Sequence, residues 1–412
     1  MIKIIIWGIG IKRITVEKAV NLKKCEIVGY IDNNPQKQGK FVNKIPVYSI
    51  LQVPIEYDYL VISVKKYDSI LYQLESLNFD MNKVIVYFRE NEFNNDMYCS
   101  FININLWRID LLEEKVKKLE NIINLRLNNL KYELNDVCLD KNICLPNIGN
   151  TEEAIDKITK EGSSLVRFGD GEFEIMAGKE RAVFQNYNPL LAKRLLEIVK
   201  SNNSKLLIAI ANNYGSLEQY TEEVADGIRE YMTDDVRKFH LSILNMKKVY
   251  YDAYMFKCYY PYKDKKTTQK RVEQIKKIWN QRDVVLIEGD KTRTGYENDL
   301  LDNANSIKRI LAPTKNAFDK YDEIFEEALK LPPNALILIT LGPAGKVLTY
   351  DLFNKGYQVI DIGQVDMDYD WYKAGANTKL GNSKKYISQL PEAMIEDVND
   401  LEYLNQIIAK IE

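Results

Sequence analysis

Four short segments carry the residue types that could do chemistry in this chain. In Arg167-Phe168-Gly169-Asp170-Gly171-Glu172-Phe173, two glycines flank an Asp-x-Glu pair that follows an arginine. Glycine permits a tight turn and close approach of a ligand. Two carboxylates can share a hard divalent cation that also touches phosphate oxygens, and a guanidinium fork suits a phosphate. In the run from Glu288-Gly289 to Asn298-Asp299, Lys291 and Arg293 can neutralise a diphosphate while Asn298 and Asp299 bond a ribose or base. Asn298 also reads simply as a helix cap. Leu341-Gly342-Pro343-Ala344-Gly345-Lys346-Val347 fails the phosphate-loop pattern, because its glycines are too close and Val347 lacks a hydroxyl. A glycine-rich turn entering a helix can still receive an anion. In Asp361-Ile362-Gly363-Gln364-Val365-Asp366-Met367-Asp368-Tyr369-Asp370-Trp371, acids alternate with apolar groups. That run reads either as a half-buried strand with a wet acidic face or as an acceptor site. In the second reading one carboxylate is a general base and the aromatic rings stack on a sugar.

Each segment follows a short apolar run, and helical patterns separate the runs. Strand candidates are 164–168, 205–211, 283–288, 308–311, 335–341 and 357–362, which with helices between them imply a parallel sheet. Ligands of such sheets sit beyond the carboxyl ends of the strands, where these segments lie. A second set of runs at 3–7, 26–31, 59–64 and 83–87 predicts a smaller α/β module over residues 1–92. Its first strand ends in Gly8-Ile9-Gly10 and its second at Asp32, in the manner of a dinucleotide fingerprint. Arg13 holds the third glycine position, where a long side chain opposes helix–strand packing, so a plain Rossmann-like module is favoured over NAD binding. Residues 93–150 form the connection. Leu112, Val116, Leu119, Ile123, Leu127, Leu130 and Leu134 space one long amphipathic helix, serving either dimerisation or packing on its own domains.

Composition narrows the rest. The 412 residues carry 57 basic and 59 acidic groups, so bulk nucleic-acid binding is disfavoured. No apolar run is long enough to span a bilayer, and Met1 to Trp7 reads as a strand, not a signal peptide. Five cysteines without C-x-x-C spacing fit a reducing cytosol, and the single histidine, His240, excludes multi-histidine metal sites. A metal would then be held by carboxylates, which points to Mn or Mg. His240 is expected to be structural. The tyrosine- and lysine-rich stretch 250–271 reads either as a glycan, lipid-diphosphate or membrane-face contact or as a packing surface.

Two resemblances sharpen this. Ile31-Asp32-Asn33-Asn34-Pro35 with Gly39 and Ile45-Pro46-Val47 resembles the N-terminal nucleotide-binding-like module of bacterial sugar-modifying enzymes such as sugar acyltransferases. Residues 150–390 resemble the GT-D fold family of bacterial glycosyltransferases. The resemblance rests on the four segments in order, together with Arg309-Ile310-Leu311-Ala312-Pro313 and Asn316-Ala317-Phe318. It implies transfer of a hexose from a UDP-sugar, with Asp170 and Glu172 holding the metal and diphosphate. The segments departing from the family are Ala344-Gly345-Lys346, Gln364 and the aspartates Asp368 and Asp370, where the family commonly has Thr-Ala-Thr, histidine and glutamates.

The chain is therefore expected to be α/β, with two Rossmann-like parallel-sheet domains joined by a long helix and a catalytic domain over 151–412. It is expected to be a metal-dependent glycosyltransferase. The donor is a UDP-sugar, and the acceptor a glycan, glycoprotein or lipid-linked saccharide of bacterial surface polysaccharide or protein glycosylation. Asp368, then Asp370 and Asp366, are the expected base. Arg167, Phe168, Gly169, Glu288, Arg293, Asn298, Asp299, Asn316 and Gly342 are expected to bind the donor. A cytoplasmic location, peripheral at the inner membrane face, and a homodimer through 112–134 complete the expectation. The rivals are an NAD-dependent enzyme using the N-terminal module and a non-catalytic nucleotide-sugar scaffold.

Overall fold

The computed structural model describes residues 1–20, 25–53, 56–87, 97–134, 143–180, 184–386 and 395–412. By backbone contacts the chain divides into one unit over Met1–Ile123 and another over Asn124–Glu412.

The first unit contains β1 (Ile2–Trp7), α1 (Arg13–Ala19), β2 (Cys25–Ile31), β3 (Phe41–Val42), β4 (Ile45–Tyr48), β5 (Tyr59–Ile62), α2 (Asp68–Ser76) and β6 (Val84–Val86). Its six strands lie in the order β3-β4-β2-β1-β5-β6, parallel except for the β3–β4 hairpin. Ile5, Trp7 and Leu71 pack one face of this sheet, and Ile4, Ile6 and Val16 the other, as the two-residue period of a strand requires. The long helix α3 (Met97–Glu133) begins in this unit and ends in the next.

The second unit holds β7 (Asn147–Gly149), α4 (Thr151–Glu161), β8 (Ser164–Phe168), α5 (Asp170–Met176), α6 (Pro189–Val199), β9 (Leu206–Ile210), α7 (Glu222–Tyr231), α8 (Asp234–Ile243) and β10 (Val249–Asp252). It continues through α9 (Thr268–Lys276), β11 (Asp283–Gly289), β12 (Ser306–Ala312), α10 (Tyr321–Ala328), β13 (Leu336–Thr340), α11 (Gly342–Asn354), β14 (Gln358–Asp361), α12 (Val365–Lys373), α13 (Leu401–Gln406) and β15 (Ile407–Lys410). Nine strands form one parallel sheet, β15-β12-β11-β13-β14-β8-β9-β10-β7. The end of α3 is fastened inside this unit. Arg229 grips Glu133 with two bonds of 2.8 and 2.9 Å, and Arg237 lies 3.9 Å over the Tyr132 ring.

The core fills both faces of the sheet. Ile155, Val272, Trp279, Val365 and Tyr369 cover one face; Phe173, Leu191, Leu195, Leu348 and Leu352 cover the other. Strand β8 thus sends its following helix, α5, to one face, while its neighbour β14 sends α12 to the opposite face. That divergence opens a crevice beyond the carboxyl ends of the two strands. The acidic run 361–371 is accordingly not a strand. It is the end of β14, a turn and α12, with Asp366 and Asp368 buried. Strands β7, β10 and β15 were not foreseen, because each is only three or four residues long and β10 also sits in the tyrosine-rich stretch.

The leucine stripe of α3 stays in water. Leu112, Val116, Leu119, Ile123, Leu127 and Leu130 are each 46–62% exposed among the described residues. Elsewhere α11 lies directly on the sheet: a Cβ on Gly345 would stand 2.8 Å from Ile339 Cγ2. Replacing Gly345 by valine should therefore cost about 1–3 kcal/mol of stability through overpacking, read as a lower urea midpoint with unchanged slope.

Candidate functional site

The crevice between β8 and β14 is organised by Asp361, the last residue of β14. Its carboxylate is almost fully buried and accepts the Arg167 backbone N–H at 3.1 Å and the Gly363 N–H at 3.2 Å. The Lys346 ammonium, reaching from the first turns of α11, meets the same group at 2.9 Å. The Arg167 guanidinium donates through Nη1 to the Ile362 carbonyl at 2.8 Å and lies over the Phe256 ring. Its Nε is a buried donor with no partner among the described residues. Gly363 is left-handed, and a Cβ there would stand 2.5 Å from Arg167 Nη1, so only glycine leaves room for the guanidinium.

The Asp-x-Glu pair sits at the start of α5. Positions i and i+2 of a helix point to different sides, and the two carboxylates do so here. Asp170 is exposed, and its carbonyl accepts the Tyr231 hydroxyl at 3.3 Å. Glu172 folds back to cap its own helix: Oε2 accepts the Gly169 N–H at 2.8 Å, and Oε1 faces Lys346 at 3.6 Å. Among the described residues no group of three or more potential ligands gathers. The expected chelation of Mn or Mg by both Asp170 and Glu172 does not fit this geometry, because one carboxylate is committed to a backbone amide and an ammonium. Phe168, expected at the donor, is a core residue packed edge-on against Phe173.

The next strands supply a wall that sequence reasoning missed. Asp252, ending β10, accepts the Tyr254 N–H at 2.8 Å, and burial raises its pKa to about 6 against the pull of Arg167 and Lys257. Burial also lowers the Lys257 ammonium, which Asp368 and Asp170 hold up and Arg167 and Lys379 oppose. Lys257 makes no ion pair among the described residues and lies 5.0 Å from the Tyr254 ring centre. The only histidine is structural, as expected. Burial and then Arg237 push it down to about 3, so it is neutral. His240 bonds Tyr214 through Nδ1 at 2.7 Å and Tyr231 through Nε2 at 3.2 Å, and stacks on Phe173. The chain of bonds from His240 through Tyr231 to the Asp170 carbonyl ties α8 to the α5 turn.

The remaining expected residues hold segments together. Glu288 is fully buried, salt-bridged to Arg309, and accepts the Thr294 N–H at 2.8 Å. Arg293 donates to the carbonyls of Lys384 and Glu396 at 2.7 and 2.8 Å. Asn298 bridges Asp366 and Asp370 at 2.8 and 2.6 Å. Lys385 closes on the same two acids at 2.7 and 2.9 Å. Burial and the Asp366 charge raise the Asp370 pKa, which Lys385 and Asn298 oppose. Asp368 accepts the N–H groups of Tyr259 and Tyr260 at 2.6 and 3.0 Å, so both its oxygens are committed to a loop. Asp299 takes the Tyr369 hydroxyl at 2.9 Å and pairs with Lys373. Asn316 accepts the Asn186 N–H at 2.9 Å, and Gly342 passes under Phe184. Tyrosines 250, 251, 259 and 260 are buried, so the tyrosine-rich stretch is chiefly packing.

The N-terminal fingerprint closes on itself in the same way. Asp32 accepts the Ile9 and Asn34 N–H groups at 3.3 and 2.9 Å and pairs with Lys37 at 3.1 Å. Arg13 pairs with Glu17 and lies over Tyr30.

Residues 165–390, more than half of the chain, match the family described as glycosyltransferase GT-D fold. The chain belongs to that family. Residues 1–85 match a module described as C2185-like, N-terminal. Glycosyltransferase GlyD of Streptococcus pneumoniae serotype 4 is 34% identical over 275 residues, covering 66% of this chain and 33% of that protein. The probable glycosyl transferase Gly of Streptococcus gordonii is 33% identical over 262 residues, covering 63% of this chain and 38% of that protein. The chain thus spans little more than a third of the length of these curated relatives. Among solved structures, the domain of unknown function 1792, described as having a distinct glycosyltransferase fold, matches with 33% identity and a TM-score of 0.61. That match covers 65% of this chain and 96% of the other. A domain from Streptococcus sanguinis described as a new glycosyltransferase matches at 31% identity and a TM-score of 0.60, covering 65% of this chain and all of that one. The GT-D domain contains the whole crevice described above. No helix among the described residues is long and apolar enough to cross a membrane.

Removing a cation from a buried acid cluster is costly. Lys385→Met in the GT-D domain should lower unfolding stability by about 3–5 kcal/mol, and adding Asp366→Asn should recover part of that loss in a double-mutant cycle by urea titration.

Proposed function

We propose that the chain transfers a hexose from a UDP-sugar to a hydroxyl of a glycan, glycoprotein or lipid-linked saccharide, in bacterial surface polysaccharide or protein glycosylation. The observation that carries this reading is the β8–β14 divergence, where the buried Arg167 Nε has no partner among the described residues and Lys257, which makes no ion pair among them, feels the charges of Arg167 and Asp170. A guanidinium with one unsatisfied N–H and an ammonium with no ion pair among the described residues suit the charge that gathers on a departing diphosphate. In the step proposed, the bond from the anomeric carbon to the phosphate oxygen breaks and its electron pair leaves with UDP. The acceptor oxygen bonds to the anomeric carbon and its proton passes to a carboxylate. Asp252 takes that role in place of Asp368, Asp370 and Asp366, whose oxygens already hold a loop, a lysine and an asparagine. The first contact with donor phosphate comes from Arg167 and Lys257, with Asp170 at the rim.

The exposed stripe of α3 supports a homodimer through 112–134. Its apolar positions recur at coiled-coil spacing, and a second copy presents the same stripe. Sedimentation should then give twice the chain mass, and Leu119→Glu should return it to the monomer.

UDP release across a panel of UDP-hexoses tests the transferase reading. Release is expected with one donor, and Lys257→Ala should weaken UDP binding by about tenfold or more, the scale of one lost charge-assisted contact. Asp252 cannot accept a proton until it ionises, so activity should rise as pH passes through about 6 and the rising limb should vanish in Asp252→Asn. His240, neutral above about 3, contributes no limb in that range. No release together with no UDP binding by calorimetry would overturn the reading.

A further inference from the structure

We infer that the Lys346 ammonium occupies the cation position between Glu172 and Asp361, so that departure of the diphosphate from this crevice requires no divalent metal. The inference rests on the transferase reading of the same crevice and concerns how its charge is balanced.

The geometry is that of a filled site. Lys346 Nζ stands 2.9 Å from Asp361 Oδ2 and 3.6 Å from Glu172 Oε1. The other oxygen of Glu172 takes the Gly169 N–H at 2.8 Å, and Asp361 also takes the N–H groups of Arg167 and Gly363. All three side chains are largely withdrawn from water, at 8%, 11% and 1% exposure. Two buried carboxylates facing one another need a cation between them. A tethered ammonium meets that need, and a divalent ion brought beside it would meet like charge as well as carboxylates whose lone pairs are already in use. Glu172 and Asp361 are the acids that hold the Gly169 and Arg167 amides. Lys346 is therefore a positioning residue. It keeps the α5 turn and the β8 end in register, so that Arg167 faces the leaving group, to which Lys257 adds its charge. In the transfer, the electron pair of the broken bond goes to the phosphate oxygen under those two cations, and Lys346 exchanges no proton.

The test uses the full chain, with Mn and the metal chelator EDTA as probes. In the wild-type protein, UDP affinity by calorimetry and UDP release should agree within about twofold between EDTA and Mn, and Mn alone should leave the thermal midpoint unchanged. In Lys346→Ala, the freed carboxylates should take up Mn. The thermal midpoint should then rise with Mn, and UDP affinity should fall by about tenfold or more in EDTA relative to Mn. Lys346→Arg, which keeps the charge, should bind UDP without metal, and it serves if the alanine variant does not fold. A wild-type protein stabilised by Mn, or losing UDP affinity in EDTA, would overturn the inference. Absence of UDP release under every condition would instead count against the transferase reading, while the Mn effect on the two thermal midpoints would still decide the role of Lys346.

Discussion

A carboxylate taken out of water must be met by a cation or by N–H donors, and the strand ends of the large sheet are built around that requirement. Asp361 is the centre of it. Its partners come from β8, from its own turn and from α11, so one buried charge fixes the ends of two adjacent strands and the helix packed beside them. Further along the same edge, Glu288 with Arg309, and Asp366 and Asp370 with Lys385 and Asn298, repeat the pattern. Each of these clusters is met from within the domain, Glu288 by Arg309 and the two aspartates by one lysine and an asparagine amide. They make the GT-D domain rigid where its loops are long, but they leave nothing over for a substrate.

What remains uncancelled defines the crevice. The Arg167 Nε and the Lys257 ammonium are donors whose natural acceptors are not among the described residues, and Asp252 is held near the pH at which it could take a proton. They lie where the helices after β8 and β14 part to opposite faces, which is where a parallel sheet leaves space for a ligand. The His240–Tyr231–Asp170 chain shows how distant packing reaches this place: a neutral imidazole stacked on Phe173 sets a hydroxyl that sets the α5 turn. Catalytic groups held by such supports lose little freedom when a substrate arrives, which is how an enzyme lowers reorganisation cost.

The family and the α/β class were legible in the sequence, because both depend on local order. Apolar runs of strand length separated by helical periods announce a parallel sheet. Arg167-Phe168-Gly169-Asp170-Gly171-Glu172 after such a run announces a functional turn. Even the departure at Lys346 was visible as a residue type in an unexpected place. The roles of single side chains were much less legible. Arg293 and Arg167 look alike in sequence, yet one is bound by the carbonyls of Lys384 and Glu396, about a hundred residues away at most, and the other keeps an unmatched donor. Asp368 and Asp252 are both aspartates among aromatics and both accept backbone amides, Asp368 from Tyr259 and Tyr260 and Asp252 from Tyr254 and Asn212, but burial raises the pKa of Asp252 to about 6.

The physical reason is the range of the interactions. Hydrophobic period, turn chemistry and the reach of a glycine are set by neighbours within a few positions, so the amino-acid order alone determined the α/β class, the leucine stripe of α3 and the glycine-bracketed turn after β8. Whether a buried charge is spent or available depends on which distant segment brings its counter-charge. Only the tertiary structure decided that Lys346 comes to Glu172 and Asp361, that Lys385 comes to Asp366 and Asp370, and that no acid comes within pairing distance of Lys257 among the described residues.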